Sequence, residues 1–207
     1  MRFRRLTLMI ASFCLACSSF AMAGSVDFDN VSAPGFFNQT TYSPTVYPGV
    51  TFFNGVILSN VGWNNEATTA PNLYATSDYL PLSDGSLLPG NIDAVFSSPV
   101  SNVNFDIING FGPADFTAFA FDSNGVTLAT VVVTLNQFTD PGDTAHIALN
   151  ASNIFQVVVI SGQGVGAVDF ATDTWSWNGT PVPEPGSLLL LGTAITGLWS
   201  QRKRFLD

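Results

Sequence analysis

The sequence predicts an all-β chain, an antiparallel β-sandwich of jelly-roll type, and three observations carry that prediction. Val103, Phe105 and Ile107 alternate with Asn102, Asn104 and Asp106, the period-two pattern of a sheet with one buried and one wet face. Asn54-Gly55 and Asn124-Gly125 supply the positive φ that tight hairpins need. From Gly24 to Thr180 no stretch has a convincing helical period, and many short apolar runs are separated by Gly, Pro, Asn and Asp, as in a sandwich.

The two ends are of another kind. Residues 1–23 read as a basic start (Arg2, Arg4, Arg5), an apolar run from Leu6 to Phe20, and Ala21-Met22-Ala23 before Gly24. That order is the signature of a secretory signal peptide cleaved after Ala23. Both cysteines, Cys14 and Cys17, lie inside it, so their C-x-x-C spacing carries no redox or zinc meaning, and the mature chain has no thiol.

The expected exported domain, 24–180, contains no Lys or Arg and thirteen of the fifteen acids, a formal charge of −13 with His146 neutral. Nucleic acid is excluded as a partner, because phosphate neutralisation needs surface cations. Nucleotides and anionic headgroups are disfavoured for the same reason. Fourteen of the eighteen phenylalanines fall in this segment, enough bulk for a core without disulfides or ion pairs. In chain order the strands are expected at Ser25–Asp29, Val50–Phe53, Val56–Val61, Ala94–Ser97, the alternating 102–107, Phe116–Asp122, Val126–Leu135, Thr144–Leu149, Ile154–Ser161 and Ala167–Trp177. The Asn-, Thr-, Ser- and Pro-rich segment Trp63–Asn91 reads as long loops.

Candidate sites follow from residue chemistry. Aromatic faces stack on sugar C–H groups while Asn, Asp and Thr bind hydroxyls. Trp63, Tyr74 and Tyr79 in the long loops, and Trp175 with Trp177 on one face of the last strand, are therefore the candidate carbohydrate-binding aromatics, with core the competing assignment for the last two. Hard cations take oxygen ligands. Asp27 and Asp29 near the start and Asp169 and Asp173 near the end would share a Ca2+ if the first and last strands are neighbours, with solvated surface acids as the plain alternative. Asp122-Ser-Asn124-Gly125 fails as a calcium loop because glycine stands at its fourth position and no closing glutamate follows. His146, the sole histidine, sits on the polar face of a strand without a second histidine or a Gly-x-Ser-x-Gly elbow. Catalysis would have to rest on a carboxylate pair, two aspartates or an aspartate with Glu66 in the Trp63-Asn-Asn-Glu66 loop.

After the domain come Val182-Pro183-Glu184-Pro185, an uncharged apolar segment from Gly186 to Ser200, and the basic cluster Arg202, Lys203, Arg204. Proline fixes the first part as an extended spacer. The apolar segment reads as a transmembrane sorting helix, and the positive-inside rule keeps the cluster cytoplasmic. These three parts, in this order and covering 181–207, resemble the PEP-CTERM sorting tail. The resemblance implies a substrate of an exosortase, a membrane transpeptidase of Gram-negative bacteria that cuts near the Pro-Glu-Pro motif. It further implies delivery through the secretion machinery, transient anchorage in the inner membrane, and association with exopolysaccharide and biofilm at the outer surface or in the extracellular matrix. The expectation is thus a non-enzymatic surface or matrix protein that contacts polysaccharide; the alternatives are a secreted glycan-processing enzyme and a purely structural extracellular protein. One consequence is checked by digestion of the exported protein: trypsin has no site from Gly24 to Gln201, so the domain should survive as one fragment whose mass starts at Gly24, and internal tryptic peptides would overturn this reading.

Overall fold

The computed structural model describes residues 23–35, 43–63, 67–76, 90–110, 113–135, 143–162 and 169–179. The signal peptide, the segment around Glu66, Tyr79, the sorting motif Val182–Pro185 and the cluster Arg202–Arg204 lie outside the described residues. Among those described, eleven strands pair without a parallel partner, and the only helical element is a 3-10 turn at Asn60–Trp63. No helix of the described residues is long and apolar enough to cross a membrane; the expected sorting helix lies outside them.

In chain order the strands are β1 (Gly24–Val26), β2 (Thr45–Tyr47), β3 (Val50–Phe53), β4 (Val56–Ser59), β5 (Asn72–Ala75), β6 (Asn91–Asn109), β7 (Ala114–Phe121), β8 (Thr127–Leu135), β9 (Thr144–Leu149), β10 (Ile154–Ser161) and β11 (Phe170–Gly179). The chain folds as an antiparallel β-sandwich because β6, nineteen residues long, belongs to both layers. Its first half pairs with β3 and β10, and β10 leads on to β7 and β8. Its second half pairs with β9 and β11, and β11 leads on to β5 and β4. The exposed stretch Ser97-Ser98-Pro99 is the crossing. A proline there costs little, since partners change at this point and no ladder donor is missed. The expected break at Ser97 is therefore corrected: Ala94–Ser97 and 102–107 are one strand.

Crossing between layers creates a parity problem, and bulges solve it. Ile92, Ala94 and Phe96 face the core at even positions, whereas Val103, Phe105 and Ile107 face it at odd ones. An extra residue must intervene, because side chains alternate strictly along a strand. Asn102, at φ 51, supplies it, and Asn tolerates the left-handed region better than other side chains. In β11 the inward set passes from Phe170 and Thr172 to Trp175 and Trp177 across an irregularity between Asp173 and Ser176, with Thr174 at φ 51. β10 makes the same change between Ile154 and Gln156.

The two layers meet on aromatic rings. Phe52 packs edge-on to Trp175 at 5.2 Å, Phe96 to Trp177 at 5.3 Å, and Phe116 to Phe170 at 5.4 Å. The Trp175 ring also lies flat on Phe105, 4.0 Å away, and its indole N–H donates to Thr172 Oγ1 at 3.0 Å, so the one polar atom it buries is satisfied. β1 pairs with β11 in the register Gly24↔Trp177, as expected for first and last strands. A Cβ on Gly24 would stand 2.4 Å from the Trp177 ring, so the close approach requires glycine.

β2 and β5 were not anticipated. β5 falls within the expected loop Trp63–Asn91, and all four of its residues are buried, so it shows no alternation to read. Tyr74 points into the main core, while Leu73 and Ala75 join Leu58, Ile108, Ala171 and Trp63 in a second small core on the outer side of that layer. Every described strand lies within Met22–Thr180, a compact unit, and pairs inside it, so this segment carries its own core. With Asn102 at φ 51, Asn102→Val should lower stability by about 1–2 kcal/mol in urea unfolding, since it forces a branched residue into left-handed backbone, while Asn102→Gly should leave it nearly unchanged.

Candidate functional site

The aromatic residues singled out from sequence are core. Trp63, Tyr74 and Trp175 are 0% exposed and Trp177 4%; a ring with no free face cannot stack on a sugar, and this assignment is corrected for all four. Trp63 is enclosed in the second small core with Leu58, Leu73, Ile108 and Ala171, whereas Tyr74, Trp175 and Trp177 belong to the main core. Tyr79 is outside the described residues.

The candidate calcium ligands hold backbone amides and hydroxyls. Asp29 Oδ1 accepts from Asn72 N at 2.8 Å, and Asp27 Oδ1 from Asp29 N at 3.2 Å. Asp169 Oδ1 accepts from Thr76 Oγ1 at 3.2 Å. Asp173 receives Thr69 N and Thr174 N, each at 2.7 Å, and Thr69 Oγ1 at 3.1 Å. Among the described residues no three of His, Cys, Asp or Glu gather as a cation cage. The Asp122 turn is likewise self-contained: Oδ1 accepts Asn124 N and Val126 N, both at 2.8 Å, and these donors, Val126 first, hold its carboxyl below the ordinary range.

On the outer face of the β5–β11–β6–β9 layer lies the arrangement nearest to catalytic form. Asp106 and Asp173 are register partners across β6 and β11, and His146 faces Asp106 from β9. His146 Nδ1 is 2.8 Å from Asp106 Oδ1, and Thr174 Oγ1 donates to Asp106 Oδ2 at 2.6 Å. The hydroxyl is thus bonded to the carboxylate and not to the imidazole, unlike a nucleophile activated by its base. Burial pushes the Asp173 carboxyl up to about 6, with the Asp29 charge adding to the rise and the Thr69 and Thr174 donors opposing it. A raised carboxyl is a feature that acid–base catalysis uses. Here, however, Asp173 is 0% exposed beneath Thr69, and no substrate reaches it. Its work is to hold Thr69.

The other outer face has a different character, and sequence reasoning missed it. Phe53, Asp93, Val158, Phe119 and Thr130 stand in one row across β3, β6, β10, β7 and β8. Beside it run Val46, Thr51, Val95, Gln156 and Phe121. The rings of Phe119 and Phe121 lie 6.0 Å apart and near parallel at 25°, and Phe53, Phe119 and Phe121 are only half-buried. Asp93, the acid of these rows, accepts from Asn91 Nδ2 at 2.9 Å. The signal was in β7: along Phe116-Thr-Ala118-Phe119-Ala120-Phe121 the alanines take inward positions and two phenylalanines the outward ones. The resulting surface combines exposed ring edges with hydroxyl and amide groups and no cation.

For the buried carboxyl, the sign of the pH effect is set. A raised Asp takes up a proton on folding between its unfolded pKa near 4 and about 6. Its contribution to stability therefore falls as pH rises through that window. Asp173→Asn should abolish this fall, so that urea midpoints of wild type and variant move apart from pH 4 to 7 to the wild type's disadvantage; parallel curves would contradict it.

Comparison with known proteins adds the following. Residues 181–204 match the family model of the PEP-CTERM protein-sorting motif. No curated protein matches the sequence. Among solved structures, the chain is similar to the K1 cleaved adhesin domain of Lys-gingipain from Porphyromonas gingivalis W83, with a TM-score of 0.49 and 9% identity over 77% of this chain and 99% of that one. It is also similar to a DUF4465 family protein from Bacteroides caccae, with a TM-score of 0.41 and 11% identity over 76% and 93%. The family 11 carbohydrate-binding module of a Clostridium thermocellum cellulosomal cellulase gives 0.36 and 12% over 78% and 97%.

Proposed function

We propose that this chain, which carries a PEP-CTERM protein-sorting motif at residues 181–204, is an exported surface or matrix protein whose β-sandwich holds uncharged polysaccharide without transforming it. The half-buried rings Phe53, Phe119 and Phe121, set in register with Thr51, Asp93, Thr130 and Gln156, carry this reading. Sugar rings present apolar C–H faces to aromatic edges and planes, while their hydroxyls need neutral donors and acceptors. The absence of Lys and Arg from 24–180 favours a neutral glycan over an acidic one, since an acidic chain would meet only like charge.

Delivery belongs to the same reading. The tail brings the chain to an exosortase, with Val182–Pro185 as the recognised motif, the apolar 186–200 as a temporary membrane stop, and Arg202, Lys203 and Arg204 as its cytoplasmic retainer. Processing then leaves the sandwich among exopolysaccharide. The non-catalytic part of the proposal draws support from Asp173, which is covered by Thr69, and from the hydroxyl of Thr174, which is bonded away from His146.

Residues 24–180 should be retarded in affinity gels containing neutral polysaccharide, and Phe119→Ala with Phe121→Ala should lose most of that retardation at unchanged far-UV circular dichroism. Both rings are on the outer face, so loss of binding is separable from loss of fold. Equal retardation of the double variant, or none by wild type across a panel of neutral glycans, would reject the site.

A further inference from the structure

Strand β8 ends the β3–β6–β10–β7–β8 layer: among the described residues it pairs with β7 alone. Edge strands that stay monomeric are usually short or carry lysine, proline or a bulge on their free side. β8 has nine residues, Thr-Leu-Ala-Thr-Val-Val-Val-Thr-Leu, with no charge, proline or glycine among them; its one register irregularity, at Leu128 opposite the Ala120/Phe121 step, sits at its start and leaves Ala129 to Leu135 regular. Its outward side chains are open to solvent, Leu128 at 37% and Val132 at 59%, and Val126 just before the strand at 57%. Six or more consecutive uncharged residues of high β propensity are what strand-to-strand association requires.

We infer that β8 is a self-association edge, at which a second copy of this chain adds its own β8 in antiparallel register. Main-chain donors and acceptors along a free edge are completed by another strand, and charge selects which strand. Two bodies of formal charge −13 repel each other wherever their acids face, but β8 meets β8 without a charged side chain on either side. A pairing centred on Val131, within the regular stretch from Ala129 to Leu135, sets Thr130 against Val132 of the other copy, keeping outward side chains with outward ones, as a two-fold contact demands. The outer face bearing Phe119 and Phe121 then continues across both copies. The inference does not depend on what that face binds.

The test is sedimentation of residues 24–180, which carry their own core. With rising concentration the mass should shift from monomer toward dimer. The shift should grow when salt is raised from about 0.05 M to about 0.5 M, because screening removes the repulsion of two acidic bodies. Hydrogen exchange should slow in 127–135 as the dimer fills. Thr130→Lys with Val132→Lys places lysine opposite lysine across the axis and should return the protein to monomer with unchanged circular dichroism, whereas Val46→Lys, on β2 at the far side of the layer, should not. A monomer at every concentration and salt, or a dimer indifferent to the β8 lysines, overturns the inference.

Discussion

One strand belonging to two sheets sets the terms for the rest of the molecule. β6 enters the first layer with even residues inward and leaves through the second with odd residues inward, so its partners must change parity with it. Asn102 in β6, the 173–176 irregularity in β11 and the step after Ile154 in β10 are three answers to that single constraint. Without them Trp175 and Trp177, or Phe105, would face water, and the stack of Trp175 on Phe105 at 4.0 Å would be lost along with the layer contact it anchors.

The same constraint organises the polar groups. Thr174 is pushed outward by the bulge and there meets Asp106, while Asp173, displaced beside it, fastens Thr69. In a domain with no Lys or Arg, carboxylates have backbone amides and hydroxyls as their partners, and Asp29, Asp122, Asp169 and Asp173 use them so. Hydrogen bonds to charged acceptors are stronger than neutral ones. They tie loops to strands where other proteins use ion pairs. His146 Nδ1 meets Asp106 Oδ1 at 2.8 Å with the histidine largely exposed, and contacts of this kind at the surface add little.

How far residues could be read before the fold was known differs by element. β3, β9 and β10 fall where alternation and turn chemistry put them, because each has one dry and one wet face or sits between clear turn residues. β5 was invisible, since burial on both sides leaves no period. The Phe119 and Phe121 face was passed over because large aromatics are assigned inward by default, and only the register of five strands shows that Ala118 and Ala120 took the inward places. Trp63 and Tyr74 erred the opposite way: a polar, proline-rich neighbourhood suggested exposure, yet Trp63 joins the second small core and Tyr74, on β5, the main one.

Local order along the chain was enough to establish the sorting tail and the all-β class, because each depends on residues adjacent in sequence: Pro-Glu-Pro before an apolar run, alternation within a strand. The charge distribution also stood complete in the sequence, since charge adds up without reference to fold. Which aromatic rings are core, which acids are fasteners, and which strand is left as an edge were decided by tertiary structure. Those properties belong to the pairing of segments a hundred residues or more apart, such as Thr69 with Asp173, and to the bulges that turn one face into the other.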